Sequence, residues 1–107
     1  MAIIHVEANE AVDIKPLGAE IANAKTIALF KSKDLELIRL VLRKGMTLPP
    51  HKVKGEITIQ CIEGQLDIVV EDKSHILLAG QLMYLIGDAM HSVEALEDSS
   101  ALVTIAL

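Results

Sequence analysis

Gly45-Met46-Thr47-Leu48-Pro49-Pro50-His51-Lys52-Val53-Lys54-Gly55-Glu56-Ile57-Thr58-Ile59-Gln60-Cys61-Ile62-Glu63-Gly64 is the stretch from which the fold is read. Pro49 and Pro50 rule out a helix and pin the approach to His51, because each fixes φ and lacks an N–H. Lys54-Gly55 permits a tight bend. Ile57 to Ile62 is rich in β-branched residues and reads as a strand that closes on the turn Glu63-Gly64. A histidine and an acid thus flank a bend at the mouth of a strand. Gly80-Gln81-Leu82-Met83-Tyr84-Leu85-Ile86-Gly87-Asp88-Ala89-Met90-His91 repeats the order strand, turn, histidine.

Outward from these two stretches, the chain is a series of short apolar runs separated by turns. Residues 1–25 are the least regular, with Ile3-Ile4-His5-Val6 as an edge strand and a loop leading into a strand over Thr26–Lys31. Pro16 and Gly18 weigh against a helix on Leu17 and Ile21. Leu35–Arg43 is a buried strand. Ile57–Ile62 and Leu66–Glu71 read as a hairpin across Glu63-Gly64-Gln65. Asp72-Lys73-Ser74 turns the chain into His75–Leu78, Ala79-Gly80 turns it into Leu82–Ile86, and His91–Leu96 and Ala101–Leu107 follow. Strands this short at such spacing make a small all-β sandwich or barrel.

Composition excludes several function classes. The 107 residues, 51% hydrophobic, suit one domain with one core. No apolar run nears the roughly 18 residues of a membrane span, and the acidic start has no basic leader region. A single cysteine forms no internal disulfide, so a reducing cytoplasm is expected. Net charge is −5, and Phe30 and Tyr84 are the only aromatics. Such a chain offers neither a basic face nor a stacking platform for nucleic acid.

The two glycine-histidine stretches resemble the paired motifs of the cupin superfamily, G-x5-H-x-H-x3,4-E-x6-G and G-x5-P-x-G-x2-H-x3-N. Gly45, His51 and Gly64 match the first; Gly80 and His91 match the second. His51, Gly55 and Glu56 also match the H-x3-G-E form of small one-domain cupins. Val53 replaces the second histidine, Ile57 stands at the acidic position, Ile86 and Asp88 replace the proline and glycine, and Ala95 replaces the asparagine. The resemblance covers residues 35–107 and implies an all-β, cupin-type double-stranded β-helix (jelly-roll barrel) over residues 1–107, in a homodimer.

Alternation decides which side chains face the interior. If His51 points in, Val53, Ile57, Ile59 and Cys61 share its side. Glu56 then faces out, unless a bulge at Lys54-Gly55 turns it inward. Metal-binding cupins draw ligands from the histidines and acid of both motifs, which implies His51, His91 and Glu56 here. Two imidazoles and a carboxylate suit iron, and the same set suits manganese, zinc or nickel. Alternatively the histidines line a pocket that has lost its metal. Met46, Met83 and Met90 sit near the motifs as further lining candidates or as core filler. Cys61 lies about 13 Å along the strand from the ligand level and is a core residue. His75 reads as a half-buried structural residue and His5 as a surface one. The expected function is small-molecule binding or sensing in the barrel. The other reading is a metal-dependent dioxygenase or isomerase acting on a small oxygenated substrate.

Overall fold

The computed structural model describes the backbone of Ala2 and Ile3 and the whole of residues 6–107. Strands are β1 (Ala2–Ile3), β2 (Ile27–Lys31), β3 (Leu35–Leu42), β4 (Thr47–His51), β5 (Ile57–Glu63), β6 (Gln65–Val70), β7 (Lys73–Leu78), β8 (Leu82–Leu85), β9 (His91–Ala95) and β10 (Ser99–Ala106). They form a six-stranded sheet in the order β1-β2-β3-β10-β5-β8 and a four-stranded sheet in the order β4-β9-β6-β7. β1 takes the sheet edge, parallel to β2; Val6 lies beyond it, and Ile4 and His5 fall outside the described residues.

Period-two burial builds the core. Ile57, Ile59 and Cys61 on β5, with Leu40 and Leu42 on β3 of the same sheet, pack against Leu66 and Ile68 on β6 and Val93 and Ala95 on β9 of the other. Each large side chain so buried contributes about 1.5–3 kcal/mol.

Three local readings are corrected. Ile57–Ile62 and Leu66–Glu71 are not a hairpin. β5 pairs with β10 and β8, whereas β6 pairs with β7 and β9. Both strands bury a complete inner face, and the chain turns a corner at Gly64 (φ 83°) so that the two faces oppose each other. A Cβ at Gly64 would lie 2.3 Å from Asp98 O, so only glycine fits there. The true hairpin is β6–β7. Its two-residue turn is Glu71 (φ 49°) and Asp72 (φ 68°), one residue earlier than the sequence suggests. Both central residues are left-handed, the type I′ geometry that matches strand twist. Finally, Gly18–Asn23 is a 3-10 helix rather than loop, because burying Ile21 and the helix formers Ala19, Glu20 and Ala22 outweigh Gly18 at its start.

A bulge re-aims one acid. On β10, Ala101 pairs with Cys61 but Ser100 pairs with Glu63, leaving Ile62 as the extra residue. Glu63 would otherwise share the inward side of Cys61; the bulge turns it to the outer face. There it meets Arg39 Nη2 at 3.6 Å and accepts the Ser100 hydroxyl. It also takes the N–H groups of Leu17 (2.8 Å) and Gly18 (3.0 Å), while Arg39 donates to Lys15 O. The segment before β2 is thereby fastened across the outside of the larger sheet. Burial alone would raise the Glu63 pKa. The Leu17 N–H, the Ser100 hydroxyl, the Gly18 N–H and the Arg39 charge together outweigh it and hold the carboxyl below its usual range.

Candidate functional site

The motif stretch becomes β4, which tolerates Pro49 and Pro50 because it is an edge strand with few ladder donors to supply. His51 pairs directly with His91 on β9, so the two side chains leave the sheet on the same face. Their ring centroids are 4.4 Å apart and the planes are tilted by 52°. His91 is buried and His51 is exposed, which places one imidazole inside the barrel and the other at its mouth.

Beneath the pair lies a cavity of about 290 Å³. Val53, Ile57 and Ile59 line it, as alternation from His51 requires. The bend at Lys54-Gly55 keeps that phase. A Cβ at Gly55 would fall 1.7 Å from Ala106 O, and one at Gly87 would fall 2.3 Å from Lys54 O. The Asp88 N–H closes the contact on Val53 O at 2.8 Å. Asp88 stands where the second motif has glycine, and its φ of 63° shows what that glycine is for.

Glu56 goes the other way. Its side chain is exposed and accepts a hydrogen bond from the Tyr84 hydroxyl on the outer face, and its carbonyl takes the Ala106 N–H at 2.9 Å. No bulge turns it inward, because the bend is clamped against β10 and Gly87. The hydrogen bond to Glu56 and, after it, desolvation hold the Tyr84 phenol above its usual range. The methionines also stay outside the cavity. Met46 and Met90 are exposed. Met83 is on the inner side of β8, but at the sheet edge, where it lines a separate groove with Val70 and His75. His75 is exposed rather than half-buried, since β7 is itself an edge strand. Cys61 is fully buried, and burial pushes its thiol up, away from the reactive thiolate.

Alternation along the motif could not reveal the opposite wall. Ile38 and Leu40 on β3, Val103 and Ile105 on β10, and Thr26 ahead of β2 complete it.

Similar arrangements are found among solved structures. An RmlC-like cupin family protein with a double-stranded β-helix fold from Methanocaldococcus jannaschii superposes with a TM-score of 0.76 at 18% identity, over 94% of this chain and 93% of that one. The chain has the cupin fold. An RmlC-like cupin from Desulfovibrio desulfuricans gives a TM-score of 0.71 at 21% identity, covering 95% of this chain and 97% of that one. A variant of salicylate 1,2-dioxygenase from Pseudoaminobacter salicylatoxidans gives 0.65 at 18% identity, over 67% of this chain and 21% of the dioxygenase. No family model and no curated protein matches the chain by sequence.

The metal that many cupins carry can be tested against this donor set. Each histidine has its Nδ1 against a backbone carbonyl two residues earlier, Pro49 O at 3.1 Å and Ala89 O at 3.0 Å, as metal-binding imidazoles do. The other two ligand positions present Val53 and Ile57. Among the described residues no three His, Cys, Asp or Glu side chains come together as a ligand set. Two imidazoles do not complete a site that holds a transition metal firmly.

Proposed function

We propose that this chain is a small-molecule-binding cupin, a binding or sensing module of the cytoplasm that acts as a homodimer. The observation that carries the reading is the cavity itself. It is lined by aliphatic side chains with His51 and His91 as its convergent polar groups, the usual composition of a ligand pocket. No nucleic-acid surface or membrane anchor is part of this proposal. A net charge of −5 argues against the first, and no helix among the described residues is long and apolar enough to cross a membrane.

The second reading is a metal-dependent dioxygenase or isomerase. The carbonyl-anchored Nδ1 atoms favour it, since they leave both Nε2 atoms available to iron, manganese, zinc or nickel. Elemental analysis separates the two. Metal content per chain is measured for the wild type, His51→Ala and His91→Ala after growth in metal-supplemented medium. The pocket reading expects metal far below one per chain in all three. Near-stoichiometric metal in the wild type, lost in both variants, establishes the enzyme reading instead.

A further inference from the structure

The chemistry of the cavity restricts its occupant, and this restriction rests on the pocket reading above. A carbonyl oxygen only accepts, so the Nδ1 atoms facing Pro49 O and Ala89 O carry the ring protons. In the neutral pair each Nε2 then presents a lone pair, and neither has a protein partner among the described residues. Thr26 supplies no donor to match them. Its hydroxyl donates to Val41 O at 3.2 Å and accepts the Val41 N–H at 3.0 Å. The remaining walls, from β3, β4, β5, β9 and β10, are aliphatic. An occupant must therefore bring the proton itself.

We infer that the cavity takes a small apolar alcohol or phenol whose hydroxyl donates to the His51–His91 pair. Charge and proton counts select this head group. Among the described residues no other titratable side chain lines the cavity. On the outer side of His91 a shallow groove carries Glu71 and Asp72 of the β6–β7 turn. Their charges oppose a carboxylate ligand, and among the described residues the cavity wall holds no lysine or arginine to receive one. An ammonium brings three protons to two acceptors and strands a charge among aliphatic walls. A hydroxyl brings one proton, and the exposed His51 side admits water to the second acceptor. A cavity of about 290 Å³ falls at the lower limit of small-molecule sites, roughly 300–1,000 Å³, and suits a single ring or a short branched skeleton.

The test is a titration of the protein as purified with phenol, anisole, benzoate and benzylamine at pH 8, followed by calorimetry or amide shifts. Phenol is expected to bind best of the four, because it alone pairs an apolar ring with a neutral hydroxyl donor. Anisole has the same ring without the donor and is expected to bind about two- to tenfold more weakly than phenol. His51→Ala, at an exposed position, is expected to lower phenol affinity by a similar factor. If that variant fails to fold, the ratio of phenol to anisole affinity in the unaltered protein decides, and a ratio of one overturns the hydroxyl assignment. Benzoate or benzylamine binding more tightly than phenol overturns the hydroxyl assignment and leaves the pocket intact. Phenol affinity that appears only with added divalent ion overturns it in favour of the metal reading. No binding by any of the four at millimolar concentration overturns the pocket reading, and this inference with it.

Discussion

Arg39 Nη2 lies 3.6 Å from Glu63 Oε2, and both side chains are largely withdrawn from water, at 10% and 16% exposure. The pair is made by a bulge in β5 and covered by residues 15–18, so three distant parts of the chain meet at one charge contact. Removing one member leaves the other buried without a partner, and Glu63→Ala is expected to cost about 3–5 kcal/mol in urea unfolding. The pH dependence has a definite sign. The folded-state pKa of Glu63 is depressed, so its stabilisation is present above the ordinary carboxylate pKa and is lost as pH falls through the folded value. The stability gap between wild type and Glu63→Gln should be widest near neutral pH and shrink in acid. A gap that stays constant down to pH 2 would show that the charge is irrelevant.

Val53 stands at the motif's second histidine position, half-buried and lining the same cavity as His51 and His91. Val53→His adds a third imidazole to that cavity. Divalent-metal affinity measured by calorimetry should rise by at least about tenfold, for a stability cost of about 1–2 kcal/mol. Destabilisation with no gain in affinity would mean that the cavity geometry, and not the missing side chain, prevents metal binding.

The β6–β7 turn is built from residues ill suited to it. Glu71 and Asp72 both adopt positive φ, which Asn-Gly adopts at lower cost. The double change Glu71→Asn, Asp72→Gly should stabilise the protein by about 0.5–1 kcal/mol in thermal or denaturant unfolding. A loss of stability would indicate that one of these acids has another task at this turn, where both flank His91.

Leu82 and Tyr84 on β8, and Ile86 just beyond it, are 63%, 56% and 62% exposed along one edge of the larger sheet. An apolar edge of this kind calls for a cover, and a second copy supplies one. Light scattering should give the mass of a dimer, and Ile86→Lys should shift it towards the monomer without changing the far-ultraviolet dichroism. A monomeric wild type at micromolar concentration removes the assembly proposal and leaves the fold untouched.

How far the sequence revealed this molecule depended on whether a feature was periodic. Ile57, Ile59 and Cys61, or Leu66 and Ile68, announce their strands because burial repeats every second residue. His51 and His91 were legible through motif spacing, and alternation placed Val53, Ile57 and Ile59 beside them. Alternation cannot say which strands pair, so the sequence suggests a hairpin across Gly64 where the chain in fact crosses between sheets. It also cannot register an inserted residue. Ile62 shifts the phase, and Glu63, which looked like part of a turn, becomes the partner of Arg39. The signal available was an arginine set between Ile38 and Leu40 in an otherwise apolar run. Met46, Met83 and Met90 were close to the motifs in sequence, but side-chain direction and strand position put them elsewhere.

Because β10 lies between β3 and β5, the larger sheet is built around the segment that follows every other strand in the chain. Until Ser99–Ala106 arrives, β3 and β5 each expose an open edge, and the wall bearing Val103 and Ile105 is missing from the cavity. The barrel is therefore expected to close late. Pairings this distant in sequence carry a high loop-closure cost and slow the search. A chain cut before Ser99 should behave as an aggregation-prone collection of edges rather than as a smaller version of the same fold.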